Sequence, residues 1–547
     1  MEKSKHTLGI YGIQDRNDTR YPQYVHDHNL AFMQNGQVGK YLHLERVTRR
    51  KRDNTLHEHL PALIKEADMI NADMDVVFVD NVVGRAFISS SGQIRFEAPL
   101  AKRLTKTWEE GQLWWFDREI NSYILNHELA HIFSCLPFFG EFKENSLLIH
   151  FDGGASLSSF SAWIYRMEKI IPVEHHWELK HLSLLYNANA LTFGIMGAKL
   201  KDRNNVPGKL MGYAALGNYN EDIEFWLRHN KWFEDIWDKN ARFFESAKAD
   251  FRVDLKSFDQ HNTFLQDVVA TIQEIFMRET LLKIDDVNTL SNCKNLYYTG
   301  GCALNSHTNS AIIESRLFDN IYIPPCANDS GLALGAAAFG EWTKGNRINI
   351  QSPFLNNWGI EAENVEYTPD DLQQAAQLLS EGNILGVCNG YAEAGPRALG
   401  NRSIIALPTK ALAKKVNIDL KNQEWFLPVE PVMLAKNTNY FTGQSAIHQL
   451  SKYMLLEFKI LSDKQHEIEG VVHANGTARI QTLFNRSDNP YLFDLLTLLD
   501  EHYQVKALIN TSFNALGEPP VHTTADAMKT AQEIGVDWVV INGKIKM

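Results

Sequence analysis

Residues 296–312, LYYTGGCALNSHTNSAI, run an apolar strand directly into two glycines and then into a helical stretch. A strand that turns on glycine into a helix is the unit of α/β folds, and it brings backbone N–H groups to a helix N-terminus where an anion can sit. The pattern recurs. Residues 146–154, SLLIHFDGG, read as a buried strand ending in Asp152-Gly153-Gly154. Residues 321–340, IYIPPCANDSGLALGAAAFG, read as a strand, a loop around Asp329 and a small-residue helix. One such turn is as readily an ordinary tight turn. Two of them, with Asn328-Asp329-Ser330-Gly331, favour nucleotide binding, and place Gly153, Gly154, Gly300 and Gly301 at the points of close approach.

A chain of 547 residues exceeds one core and should divide into two or three domains. A polar stretch with Pro353 and Pro369 marks a boundary near 345–370. The expected division is an N-terminal unit over 1–350, with a helical, aromatic-rich insertion at about 160–290, and a C-terminal unit over 366–547. Residues 7–12 and 75–80 read as buried strands, 28–47 as a hairpin turning at Asn35-Gly36, and 108–135 as helical. No internal repeat is visible. The net charge of −12 argues against a nucleic-acid partner. A basic run at Arg46–Arg52 is either a solvated end or a local anion site. No run approaches the length of a membrane span. MEKSKHTLGIYG lacks a secretory apolar stretch, and five scattered cysteines without C-x-x-C fit a reducing compartment, so a cytoplasmic protein is expected.

Residues 127–131, His-Glu-Leu-Ala-His, match H-E-x-x-H, two histidines on one helix face with a glutamate between them. Taken alone this reads as a zinc metalloprotease. With 20 histidines in the chain, however, the spacing is cheap by chance. The metzincin continuation also fails, because Ser134 and Pro137 stand where it needs Gly and His. Asp152 and Asp329, each at a strand end, would make a His₂Asp₂ set, which suits iron or manganese at least as well as zinc.

The C-terminal half carries three polar clusters. Glu393 to Ser403 (EAGPRALGNRS) sets Arg397 and Arg402 around a Gly-Pro turn. Val472 to Gln481 (VHANGTARIQ) holds Asn475 and Arg479, and Asn510 to Pro519 (NTSFNALGEP) holds Ser512 and Asn514. Arginine forks and Ser/Asn groups at strand ends are what polyphosphate or carboxylate recognition requires.

With these segments assembled, the chain resembles the O-carbamoyltransferases of nodulation and antibiotic biosynthesis. GPRALGNRSI, HxxGTARIQT and NTSFNxxGEP carry the C-terminal likeness. GGxALN, with Asn305 and Asn309, and NDSGLALGAA carry the N-terminal one. The resemblance implies an α/β chain with an N-terminal ASKHA (actin-like ATPase) domain, like that of the tRNA threonylcarbamoyl-transfer protein, followed by a C-terminal YrdC-like domain. It implies ATP and carbamoyl phosphate as co-substrates joined to carbamoyladenylate, and transfer of the carbamoyl group to a hydroxyl of a small molecule. That acceptor is the implied partner, with room for a homodimer and no role for nucleic acid or membrane.

The resemblance also implies a divalent metal, iron, on His127, His131, Asp152 and Asp329, with magnesium accompanying ATP. His26, with Asp27 beside it, would be the base on the acceptor hydroxyl. Lys421, Arg479 and Ser512 would contact the phosphates. The chain departs from the pattern at four places. Glu128 replaces the usual second histidine, which creates the zincin-like pattern. Gln423 and Leu427 replace two arginines near Lys421, and Asn475 replaces an aspartate. Each lost charge-assisted hydrogen bond should weaken phosphate binding by ~1.5–3 kcal/mol. A degenerate, nucleotide-sensing relative without turnover is therefore the alternative reading.

Overall fold

The computed structural model describes residues 6–13, 25–99, 108–176, 179–187, 189–199, 204–232, 240–361 and 364–546. The first sheet is built from β1 (His6–Tyr11), β2 (Asn29–Gln34), β3 (Gln37–His43), β4 (Met74–Val79), β5 (Ala86–Ile88), β6 (Ile94–Glu97), β7 (Trp108–Trp115) and β8 (Arg118–Leu125). Its order is β3-β2-β1-β4-β8-β7-β6-β5. β1–β3 form an antiparallel meander, and β4 and β8 add in parallel. The second sheet contains β9 (Ser146–Phe151), β10 (Phe160–Arg166), β11 (Lys169–His176), β12 (Asn295–Thr299) and β13 (Asn320–Tyr322), in the order β11-β10-β9-β12-β13. Again three antiparallel strands are followed by two parallel ones.

The chain thus repeats one topology twice, the arrangement of an ASKHA domain. The duplication is invisible in the sequence because strand order constrains apolar periodicity, not residue identity. A meander, β5–β7, connects β4 to β8. This corrects the helical reading of 108–125. Trp108 stacks on Tyr123 across the hairpin, with ring centroids 3.9 Å apart, and Leu113 and Trp115 share its buried face at a period of two. Helix begins only at α1 (His127–Phe133). The segment 160–290 likewise opens with two strands before turning helical, and ends in α2 (Thr263–Ser291). α3 (Ser306–Glu314) links β12 to β13, and α4 (Leu332–Thr343) follows β13.

The two helices that close the repeats are exchanged. α1 leaves the first sheet and packs on β9 and β12 of the second, whereas α4 leaves the second sheet and packs on β1, β2 and β4 of the first. They cross at Gly335, where a Cβ would lie 1.7 Å from the Ala130 carbonyl oxygen. Small residues along α4 are what permit that approach.

The C-terminal unit is a mixed sheet in the order β19-β16-β20-β15-β14-β21-β22. Its strands are β14 (Leu385–Cys388), β15 (Arg402–Ala406), β16 (Glu430–Leu434), β19 (Gln481–Leu483), β20 (Ala507–Ser512), β21 (Trp538–Ile541) and β22 (Lys544–Lys546), with β17 (Phe458–Lys459) and β18 (Thr477–Ala478) paired separately. One apolar cluster runs from the second sheet through the helical insertion into this unit. Trp226, Trp232 and Phe243 pack on one another within it, so these aromatics form core. Phe233 and Trp237 lie outside the described residues. No described helix is long and apolar enough to cross a membrane.

Candidate active site

α1 and the strand ends of both repeats converge on one point. Helical spacing puts His127 and His131 on one face of α1, and their Nε2 atoms lie 3.1 Å apart. The Asp329 Oδ1 is 3.5 Å from the first and 3.4 Å from the second, and the Asp152 Oδ2 is 3.7 Å from His131 Nε2. Donors at ~2.0–2.2 Å from a common ion stand about 3.0–3.5 Å apart. His127, His131 and Asp329 therefore form a compact three-donor set that fits a divalent metal, and Asp152 adjoins it beside His131. Burial alone would lower His127, but the Asp329 carboxylate outweighs it and carries the imidazole up to about 9. Burial would raise Asp329, yet His127 and His131 hold it well below the usual carboxylate range.

The glycine turns shape this cluster. The Gly153 and Gly301 N–H groups donate to Asp152 at 2.5 and 2.6 Å, so both are spent on a carboxylate. Gly300 stands at φ +92°, where a Cβ would meet the Phe151 carbonyl oxygen at 2.1 Å. Tyr11 donates to Asp329 Oδ2 at 2.9 Å. Beside it, Asp27 accepts from His26 Nδ1 at 2.7 Å and from His43 Nε2 at 2.9 Å. Burial opposes ionisation of Asp27, but these two imidazoles hold it well below the usual carboxylate range. With its Nδ1–H given to Asp27, the partly exposed His26 ring keeps the Nε2 lone pair for a substrate proton.

Glu128 has another task. Its buried carboxylate accepts from Ser156 Oγ at 2.9 Å and from the Leu157 and Ser158 N–H groups at 2.7 and 3.0 Å. It anchors the loop after Asp152, which accounts for the zincin-like pattern without a protease.

A cavity of about 530 Å³ joins the His/Asp cluster to the C-terminal unit. His26, Asp27, Asp152, Gly153, Gly301, Asn305 and Asp329 line one side, and Arg397, Ser512 and Asn514 the other. Arg46, Lys51 and Arg52 also face it, so the basic run belongs to the cavity wall. Lys421 Nζ donates to Ser512 Oγ at 2.9 Å and Asn514 Oδ1 at 3.0 Å. Burial, aided by the nearby Lys51, pulls Lys421 down to about 7. Burial likewise lowers Arg397 to about 9, with Arg479 adding repulsion.

A second chamber of about 360 Å³ shares Pro396, Arg397, Gln423, Leu427 and Ser512 with the first. Arg479 and Asn475 line it. Arg479 pairs with Glu430 at 2.9 Å. His473 lies 3.4 Å from both Glu430 and Glu457; burial opposes its charge, but the two carboxylates raise it to about 9.

Five expected ligand contacts fall elsewhere. Arg402 spends its guanidinium on the carbonyls of Asn389, Gly390, Asn401 and His522. Asn309 Nδ2 donates to the Ala303 and Leu455 carbonyls. Gly154, Gly300 and Lys421 do not line either cavity, and Lys421 meets them only through Ser512 and Asn514. Sequence reasoning missed Tyr11, His43, Glu430 and Glu457, whose neighbours in sequence carry no chemical pattern.

Sequence comparison places a chain with this site among the transferases. The profile for the carbamoyltransferase N-terminus matches residues 111–338, and that for the carbamoyltransferase C-terminus matches 376–546. The chain belongs to the carbamoyltransferase family. It is 27% identical to nodulation protein NolNO of Sinorhizobium fredii (strain NBRC 101917 / NGR234), over 95% of this chain and 78% of that one. It is 28% identical to nodulation protein NolO of Bradyrhizobium diazoefficiens (strain JCM 10833 / BCRC 13528 / IAM 13628 / NBRC 14792 / USDA 110), over 76% and 78%. Among solved structures, full-length HypF in its phosphate- and nucleotide-bound form overlaps at 12% identity and a TM-score of 0.34, covering 62% of this chain and 56% of that one.

Proposed function

We propose that the protein is an ATP-dependent O-carbamoyltransferase, taking the carbamoyl group of carbamoyl phosphate through carbamoyladenylate to a hydroxyl of a small molecule. The observation that carries this reading is the pair of adjoining chambers. They link Arg397, and the Ser512 and Asn514 side chains that hold Lys421, to the His26/Asp27 pair and to Asp152 and Asp329 of the N-terminal unit.

Lys421 and Arg397 are buried cations that a phosphate would stabilise, and Ser512 and Asn514 orient Lys421. A mixed anhydride formed there faces His26 without crossing bulk solvent, which limits its hydrolysis. His26 takes the acceptor hydroxyl proton at Nε2 while Asp27 steadies the resulting imidazolium, a role worth ~10²–10⁴ in rate. Carbamoyl phosphate first loses its phosphoryl group to water as orthophosphate, and the carbamate oxygen attacks the α-phosphorus of ATP and displaces pyrophosphate. When the acceptor oxygen bonds the carbamoyl carbon, the bond from that carbon to the adenylate oxygen breaks, and AMP leaves with that oxygen. A divalent ion on His127, His131, Asp152 and Asp329 would supply Lewis-acid polarisation of the carbamoyl carbonyl.

The test is incubation of the metal-loaded protein with ATP and carbamoyl phosphate, followed by mass spectrometry for carbamoyladenylate and pyrophosphate. Absence of both would overturn the reading. A second reading, a nucleotide-sensing relative, is favoured by Gln423, Leu427 and Asn475 together with the neutralisation of Arg479 by Glu430. It expects nucleotide binding in calorimetry with no product.

A further inference from the structure

The strand that carries Asp152 holds one more histidine. His150 lies two residues earlier on β9, and strand alternation puts it with Leu148 on the face covered by α1. Its ring is fully buried. Neither Nδ1 nor Nε2 has a hydrogen-bond partner among the described residues. The ring centroid is 5.1 Å from that of His131, at an interplanar angle of 29°, and 6.4 Å from that of His127. Ligand atoms of His131, His150 and Asp152 all lie within 4.8 Å of one another. This group shares His131 with the His127–His131–Asp329 group, so the two sets adjoin.

We propose that His150 is a fifth ligand to the metal held by His127, His131, Asp152 and Asp329, making a site of three imidazoles and two carboxylates. The proposal rests on that cluster being a metal site. A neutral imidazole offers one donor and one acceptor, and leaving both unmade in a protein interior is costly. A side chain that needed only bulk at this position would be aliphatic, as Leu147, Leu148 and Ile149 are in the same strand. Coordination takes up the acceptor lone pair and explains why a histidine stands two residues from an aspartate already aimed at the cluster.

The chemical consequence is selectivity. A third imidazole shifts preference from hard ions held by oxygen toward Fe²⁺, Co²⁺, Ni²⁺ and Zn²⁺.

The decisive comparison uses the full chain and His150→Phe, which keeps an aromatic ring and removes both nitrogens. Co²⁺ and Mn²⁺ are titrated separately, with cobalt followed by its visible absorption. The expected result is a loss of Co²⁺ affinity of about tenfold or more, a smaller loss for Mn²⁺, and a changed cobalt spectrum. Unchanged cobalt affinity and spectrum would overturn the assignment. X-ray absorption on the Co²⁺-loaded wild type counts imidazoles independently of whether the variant folds. Three support the proposal and two refute it. If the wild type binds neither ion, the metal reading itself has failed and His150 falls with it.

Discussion

Glu128 and Lys421 are both buried polar side chains, yet their surroundings assign them opposite duties. Glu128 accepts from a serine hydroxyl on one oxygen and from two backbone N–H groups on the other, so its carboxylate is engaged in holding the loop after Asp152. Glu128→Gln should therefore keep cobalt binding and carbamoyl transfer within a few-fold. Stability should fall by about 1–3 kcal/mol, seen as a lower thermal midpoint, because one charged acceptor is lost to two N–H groups. Complete loss of activity in a folded Gln variant would reinstate Glu128 as a catalyst. Lys421, by contrast, is drawn down to about 7 by burial, with Lys51 nearby. At about pH 8 the free site then holds mostly neutral amine. Bound phosphate restores its charge, so binding takes up a proton; at about pH 6 the amine is already charged and the uptake vanishes. Calorimetry with carbamoyl phosphate in buffers of different ionisation enthalpy measures this directly. The buffer dependence near pH 8 should disappear in Lys421→Met. Equal proton uptake in wild type and variant would remove Lys421 from the phosphate site.

At the scale of elements, the site depends on how closely α1 and α4 approach. α1 carries both histidines, while Asp329 stands just before α4. A methyl at Gly335 would press on the Ala130 carbonyl, between His127 and His131 in α1. Gly335→Ala should cost about 1–3 kcal/mol in overpacking and weaken Mn²⁺ binding by moving the histidines away from Asp329. Gly84→Ala, with nothing within 4 Å of its Cβ, is the control. Equal Mn²⁺ affinity in the two variants would show that the crossing does not set the donor geometry.

The same elements explain which parts of the fold and site were legible beforehand. His127 and His131 could be paired from helical spacing, and Asp152 and Asp329 could be placed at strand ends by the glycines beside them. His150 gave no such cue, because SLLIHF reads as one apolar strand and only its alternation sends that ring toward α1. Residues 108–125 misled because Trp, Leu and Ile positions satisfy a helical period loosely, while the cross-strand Trp108–Tyr123 stack is a tertiary fact. Arg402 looked like a phosphate ligand by composition; its guanidinium is instead tied up by four backbone carbonyl groups that sequence cannot place near it.

At the scale of the whole molecule, the two chambers exist only while the N- and C-terminal units stay docked, and the contacts joining them are both apolar and polar. The large apolar cluster spans Leu147 to Ile541 without a break between units. Lys209 of the helical insertion pairs with Glu424, and Arg49 donates to the Pro519 and Pro520 carbonyls. Asn309 reaches the Leu455 carbonyl, and His307 contacts Glu457 at 3.0 Å. Polar contacts such as these, among them part-exposed ion pairs and hydrogen bonds to carbonyls, each contribute little, so the continuous apolar contact must supply most of the cohesion. Cutting the chain once should then leave the assembly intact. With a protease site engineered between Thr343 and Ile348, the nicked protein should elute from gel filtration as one species of the uncut size. It should retain carbamoyl transfer and separate only in denaturant. Separation without denaturant would mean that the shared core is too weak to hold the chambers together. Co-elution with loss of transfer alone would mean that the covalent link itself aligns Lys421 and Arg397 with His26.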